Sequence, residues 1–346
     1  LTEPQPSDSL LTAAEASGFA RTSRYDEVMA IVRAIDEQHP HATLQTIGSS
    51  TEGRDIPMLV LADREIKDAK AARALQRPIV LLMANIHAGE VEGKEALLML
   101  ARDLAARDKA DELRKVVLLV MPIYNTDGNE RIDPKNRSHQ TGPAEGVGVR
   151  ENAQGLDLNR DYVRMAAPET RALVRVLNEW DPAVVVDCHT TNGSFHRYTL
   201  TYSSPRHPSG DPAIRAFAAS EMLPAVSASL EAATGYKIFW YGDFNADHTA
   251  WESYPAIPRY GETYVALRNR IAILSEAYVY ASFEDRVRCT KAFCEEIVRF
   301  VGENAAKVTK LVRDADEATT KAGESGADVA LRVEARPLPD EVTVLG

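Results

Sequence analysis

Three short, mainly apolar runs stand out along the chain, at 79–84, 116–123 and 183–188, and each stops at polar residues. Runs without alternation suit strands covered on both faces, the usual setting of neighbouring parallel strands in an α/β sheet. A shorter run of the same kind, Ile271-Ala272-Ile273-Leu274, stops at Ser275-Glu276. Between these runs the period becomes helical. Tyr25, Val28, Val32 and Ile35 predict a helix capped by Thr22-Ser23 and ended at His39-Pro40. Ala96, Leu97, Leu100 and Leu104 predict another over 93–106. Further helices are expected over 168–180, over 212–233 with an interruption near Pro224, and as one long amphipathic helix over 283–311. Residues 44–48 and 56–61, joined by the polar turn Ser50-Thr51-Glu52-Gly53-Arg54, read as an antiparallel pair, and 198–202 as a further strand.

Two stretches escape this pattern. Residues 125–160 hold almost no apolar repeat but many Asn, Gly, Asp and Arg, and so long a structureless stretch inside a domain is usually functional. Residues 236–270 read as loop-rich and aromatic. The organisation expected is an N-terminal surface arm over 1–20 and an α/β catalytic domain over 21–312. A charged, Ala- and Gly-rich linker follows, and then a strand-like segment around Pro337 and Pro339, the expected start of a second domain.

Composition narrows the class. With 346 residues, 45% of them hydrophobic, the chain buries a large core. A net charge of −11 argues against a nucleic-acid partner, and no apolar window is long enough for a membrane span. Cys188, Cys289 and Cys294 are too few for a disulfide framework and read as small buried hydrophobes. The start at Leu1 is read as a removed leader, which favours a secreted or periplasmic protein over a cytoplasmic one.

Four polar residues sit at or just beyond the C-terminal ends of three apolar runs: His87, Glu90, His189 and Glu276. Open α/β sheets place their ligands at such ends. Two imidazoles and one carboxylate are a ligand set of catalytic zinc, which keeps one position open for water. A fourth carboxylate that does not ligate is free to take a proton from that water.

Several segments in the same order resemble the zinc metallocarboxypeptidases of the carboxypeptidase A/B superfamily, as a divergent bacterial-type member, from about Tyr25 to about Phe300. They are Ile47-Gly48-Ser49-Ser50-Thr51-Glu52-Gly53-Arg54, Asn85-Ile86-His87-Ala88-Gly89-Glu90, Asn125-Thr126-Asp127-Gly128, Gly155-Leu156-Asp157-Leu158-Asn159-Arg160, His189 and Glu276. The resemblance implies an α/β fold with a mixed, roughly eight-stranded sheet sandwiched by helices. It also implies a single Zn2+ on His87, Glu90 and His189, with Glu276 as general base and Asp157 supporting the first histidine. The substrate implied is a peptide with a free C-terminal carboxylate, held by Asn159 and Arg160.

The match has departures. The family's carbonyl-polarising arginine falls on Gln140, which leaves Arg137 and Arg150 as substitutes, Arg150 preferred. Gly89 stands where the digestive enzymes carry an arginine. Counting back from Glu276 puts the family's mobile tyrosine on Tyr254, with Tyr260 and Tyr264 as rivals. Arg268, in Leu267-Arg268-Asn269-Arg270, is a further candidate for substrate binding. Only 29 positions separate Arg160 from His189, which implies a trimmed cleft rim. The competing readings are a zinc amidohydrolase or deacylase on N-acyl amino acids, which shares the ligand set, and a catalytically silent peptide- or carbohydrate-binding module.

Overall fold

The computed structural model describes residues 10–106, 111–191, 193–330, 333–334, 336–338 and 341–346. The first half runs α1 (Ala13–Ala16), α2 (Tyr25–Gln38), β1 (Ala42–Ser49), β2 (Asp55–Leu61), α3 (Ala69–Ala74), β3 (Ile79–Ala84), α4 (Glu92–Ala106), β4 (Val117–Met121) and α5 (Thr126–Asn129). Then come α6 (Pro168–Glu179), β5 (Val184–Thr190), β6 (Leu200–Ser203), α7 (Pro212–Phe217), α8 (Leu223–Thr234), β7 (Ile238–Trp240) and a small hairpin of β8 (Asp243–Phe244) and β9 (Trp251–Glu252). The chain continues through α9 (Gly261–Ala266), β10 (Ile271–Ala277), α10 (Phe283–Glu303) and α11 (Ala305–Glu324).

Eight strands form one sheet in the order β1-β2-β4-β3-β5-β10-β6-β7. The central four, β4, β3, β5 and β10, are parallel, while β2 and β6 join them antiparallel on either side. The expected mixed sheet is borne out. Alternate residues of the central strands feed two cores. Val80, Leu82, Val184, Val186 and Cys188 face α2, α4, α8 and α10, and Leu81, Met83 and Val185 face α6 and α9. Helices on both faces explain why these strands read as continuous apolar runs.

The local expectations fail where a distant partner competes. Thr22 and Ser23 do not cap α2. Their hydroxyls donate to Glu95 at 2.8 and 2.9 Å, and the backbone N–H of Arg24 is taken by Glu27 at 2.9 Å. The long helix over 283–311 breaks at Asn304, whose φ of −111° ends α10 and starts α11. A wide π turn over Ala218–Met222 precedes Pro224 and explains the interruption expected there.

At the two expected domain edges the chain packs on the main domain. In the expected arm, Ala14 is fully buried beside Val91, Ala96 and Met99, and Arg102 binds Glu15 at 2.7 Å; residues 1–9 lie outside the described residues. α11 runs past position 312 with Val312 and Ala315 in the core, and Arg270 pairs with Asp316 at 2.9 Å. Among the described residues beyond 328 there is no strand; Pro337 offers no N–H to a ladder. Residues 331, 332, 335, 339 and 340 of that expected strand lie outside the described residues. The chain end instead returns to the main domain, where Leu345 O accepts from Arg197 N at 2.9 Å.

One buried ion pair ties α10 to the site. Arg286 and Glu92 are 0% and 1% exposed, and Arg286 also donates to the carbonyls of Thr141 and Ala281 at 2.8 and 2.7 Å. Arg286→Met strands Glu92 in the core, so urea unfolding is expected to show a loss of about 3–5 kcal/mol.

Candidate active site

β3 ends at Ala84, and Asn85 turns the backbone with φ of 65°, a conformation asparagine tolerates better than most residues. The turn carries His87 and Glu90 over the ends of the parallel strands. His189 and Glu276 are held more firmly than loop residues: β5 and β10 extend through them, and the sheet register sets the two side by side. Sheet hydrogen bonds therefore fix both positions.

The three expected ligands converge. Glu90 lies with Oε1 3.1 Å from His87 Nδ1 and Oε2 2.9 Å from His189 Nδ1. One ligand atom from each residue lies within 4.8 Å of the others, and all three residues are buried. On the far side of each ring stands a second carboxylate. His87 Nε2 is 3.2 Å from Asp157, and His189 Nε2 is 3.0 Å from Asp187. A neutral histidine that gives its Nε2 proton to such a carboxylate turns a bare Nδ1 lone pair toward Glu90. Lone pairs facing each other at these distances need a proton or a cation between them, and two Nδ1 atoms with one carboxylate fit a divalent metal. Without one, burial works against the charged imidazole of His189, but Asp187 and Glu90 outweigh it and raise its pKa well above the usual value.

Arg137 and Arg150 both reach this group, in different ways. Arg137 is fully engaged: it donates to Glu90 at 3.0 Å, to Gln140 at 2.9 Å and to the carbonyls of Thr190 and Thr191. A Cβ on Gly89 would stand 2.7 Å from Arg137 Cδ and 2.9 Å from Gly148 O, so glycine is what allows Arg137 to pass. Arg150 donates through Nε to Asp157 at 2.9 Å and brings Nη1 to 3.3 Å from His87 Nδ1, with a side chain still 38% exposed. Glu276 is partly buried, and its Oε2 has no hydrogen-bond partner among the described residues. Burial, with Glu90 and Asp187 adding and His189 and Arg137 opposing, raises its pKa to about 8.

The sequence signature of the zinc carboxypeptidase family matches residues 28–293. The chain belongs to the zinc carboxypeptidase family. Human carboxypeptidase D is 33% identical over 169 residues, 47% of this chain but 11% of that protein. Carboxypeptidase 2 of Trichophyton rubrum is 30% identical over 143 residues, 40% of this chain and 23% of that protein. The match thus spans less than a quarter of the length of these relatives. Among solved structures, a metallo-carboxypeptidase from Burkholderia cenocepacia superposes with a TM-score of 0.58 at 19% identity, covering 81% of this chain and 70% of that one, a likeness of fold.

Of the other expected site residues of this zinc carboxypeptidase family member, Asn159 and Arg160 lie on a short helical turn begun by Asp157, beside the ligands. Asn159 Oδ1 accepts from Gly261 N at 2.8 Å, and the Arg160 guanidinium stacks 4.2 Å over the Tyr260 ring. Tyr260 and Tyr254 are neighbours, with ring centroids 5.8 Å apart. Tyr264 packs instead on Tyr162, one helical turn further along α9. Arg268 is not in the cleft. It precedes β10, so it sits at the opposite end of the sheet from Glu276 and donates to Asn178 at 2.7 Å. Arg270 of the same cluster pairs with Asp181 and Asp316.

Two residues escaped the sequence reading, Asp187 behind His189 and Glu262 bonded to Tyr254. Asp187 had a signal, a carboxylate inside an apolar strand two positions before a histidine and therefore on the same face. Glu262, buried at the start of α9, had none. Asp187→Asn is expected to weaken zinc binding about 10–100-fold, as loss of a carboxylate behind a ligating histidine does. Competition against a chromophoric chelator measures it.

Proposed function

We propose that the chain is a zinc-dependent carboxypeptidase that hydrolyses the C-terminal peptide bond of peptides, with Glu276 as general base. The observation that carries this reading is the convergence of His87 Nδ1, His189 Nδ1 and the Glu90 carboxylate, with Glu276 in register beside His189. A zinc ion on those ligands supplies a Lewis acid for the scissile carbonyl and lowers the pKa of a water to about 7.

The chain's own residues do the rest. Glu276 accepts a proton at Oε2 and returns it to the leaving amine. Burial favours its protonated form, whereas His189 and a neighbouring cation site favour the carboxylate that the base requires. Arg150 is the better placed of the two arginines to polarise the carbonyl, since Arg137 has its donors occupied. Asn159 and Arg160 hold the substrate's terminal carboxylate, and Tyr254 and Tyr260 line the space beyond them.

Arg160→Met tests the exopeptidase part of the proposal. It is expected to lower kcat/KM on free peptides about 100-fold, the loss of a charge-assisted pair worth roughly 3 kcal/mol. A C-terminally amidated peptide, which cannot use Arg160, should be hydrolysed equally slowly by parent and variant. Equal loss on both peptides would place Arg160 outside carboxylate recognition.

A further inference from the structure

Beyond Arg160 the cleft wall continues through aromatic rings to a second arginine. Arg160 stacks on Tyr260, Tyr260 neighbours Tyr254, and the Arg206 guanidinium lies 4.3 Å over the opposite partner in that row, the Tyr254 ring. Tyr241 packs on Tyr254 as well, with ring centroids 5.5 Å apart. Arg206 follows β6, whose Thr201 pairs in register with Glu276. β6 runs antiparallel to β10, so Arg206 leaves it away from Glu276, and it is the row of rings from Arg160 through Tyr260 and Tyr254 that joins the arginine to the cleft wall.

Arg206 is unusual in its hydrogen bonding. Its Nε and Nη2 atoms are both buried, and neither has a hydrogen-bond partner among the described residues. These two N–H groups point the same way along one edge of the guanidinium and match the two oxygens of a carboxylate. Two unmet donors on a permanently charged group are costly to bury, which marks the edge as one that a ligand completes. Glu262, whose charge Arg206 feels, does not complete it. Glu262 accepts from Tyr254 Oη and Thr263 Oγ1, both at 3.1 Å, through Oε2, and no ion pair among the described residues includes Arg206. Burial also pushes the Glu262 carboxyl up to about 7, with Arg206 opposing, so it is a poor counter-charge.

Resting on the carboxypeptidase reading, we propose that Arg206 sets specificity by binding an acidic side chain on the C-terminal residue. The substrate's terminal carboxylate sits on Asn159 and Arg160, its side chain crosses the Tyr254 ring, and the side-chain carboxylate closes the Nε and Nη2 pair of Arg206. A C-terminal glutamate or aspartate is the residue released.

The test is a set of N-benzoyl-glycyl dipeptides ending in Glu, Asp, Gln, Leu or Lys, assayed with the zinc-loaded parent. The expected result is kcat/KM for Glu at least tenfold above Gln, its neutral isostere, and above Leu and Lys. In Arg206→Met the Glu/Gln ratio should collapse to about one, and in Arg206→Lys it should fall only partly. The parent comparison needs no variant, so it stands even where Arg206→Met folds poorly. A parent that prefers Gln, Leu or Lys overturns the role of Arg206 and leaves the carboxypeptidase reading intact. So does an Arg206→Met variant that keeps the parent's Glu/Gln ratio while losing rate on every substrate. A parent that releases no C-terminal residue from any of them removes both.

Discussion

Glu276→Gln is expected to lower kcat about 10²–10⁴-fold with KM and zinc content close to the parent's. The substitution keeps size and shape but cannot accept a proton, so the loss isolates the base. Glu276 is suited to the role because β10 pairs with β5 in parallel and puts it directly beside His189, while its Oε2 atom has no hydrogen-bond partner among the described residues. A structural carboxylate in the same place would be bonded to its neighbours, as Glu92 is to Arg286 and Thr190. Steady-state kinetics with zinc measured by atomic absorption decides the matter, and a zinc-loaded Glu276→Gln as fast as the parent would remove Glu276 as the base.

His189→Ala is expected to lose both activity and the bound metal. It removes one of two Nδ1 ligands and leaves Asp187 and Glu90 facing each other across the gap, where the imidazole now separates them. Zinc affinity should drop enough that dialysed protein carries no stoichiometric ion. The readout independent of turnover is thermal stability. Ligand present at 1,000 times its Kd stabilises a native state by about 4 kcal/mol, so added zinc should raise the parent's Tm by several degrees and leave that of His189→Ala unmoved. A variant whose Tm still responds to zinc as the parent's does would place the metal elsewhere.

The candidate ligand group was legible because its members lie at or just beyond the ends of apolar runs, and parallel strands deliver their C-terminal ends to one edge of a sheet. The same logic misleads at Arg268. Its neighbours suggested a substrate-facing cluster, but it enters β10 rather than leaving it, and strand direction alone puts it at the far end. Asp187 could have been read from its spacing to His189. Arg206 and Glu262 could not, because their juxtaposition depends on a loop after β6 meeting a helix before β10, and no local period records that contact. The tyrosines show the limit of counting along a loop-rich stretch: Tyr254 and Tyr260 are brought together by packing, whereas Tyr264, one turn along α9, faces Tyr162.

Local rules also lost wherever a buried charge made a stronger claim. Thr22 and Ser23 have the chemistry of caps, but Glu95, buried on α4, takes their hydroxyls and the Ser23 N–H, the last at 2.6 Å. An unpaired buried carboxylate costs more than a missing cap, so the long-range bond prevails. Asp127 is the corresponding case in the loop after β4. It accepts from Ser50, from the Glu52 N–H and from Arg54, and thereby locks the turn over 50–54 to the turn over 125–128. Two segments that carried the family resemblance are thus one structural unit supporting the site rather than part of its chemistry.

The most direct test of the account is digestion of a mixed peptide library by the full chain, followed by mass spectrometry, with zinc, with a chelator, and with zinc restored after chelation. Progressive shortening from the C terminus that the chelator stops and zinc restores is expected, with C-terminally amidated peptides spared. Internal cuts, shortening that the chelator leaves untouched, or no cleavage by the zinc-loaded protein would contradict it.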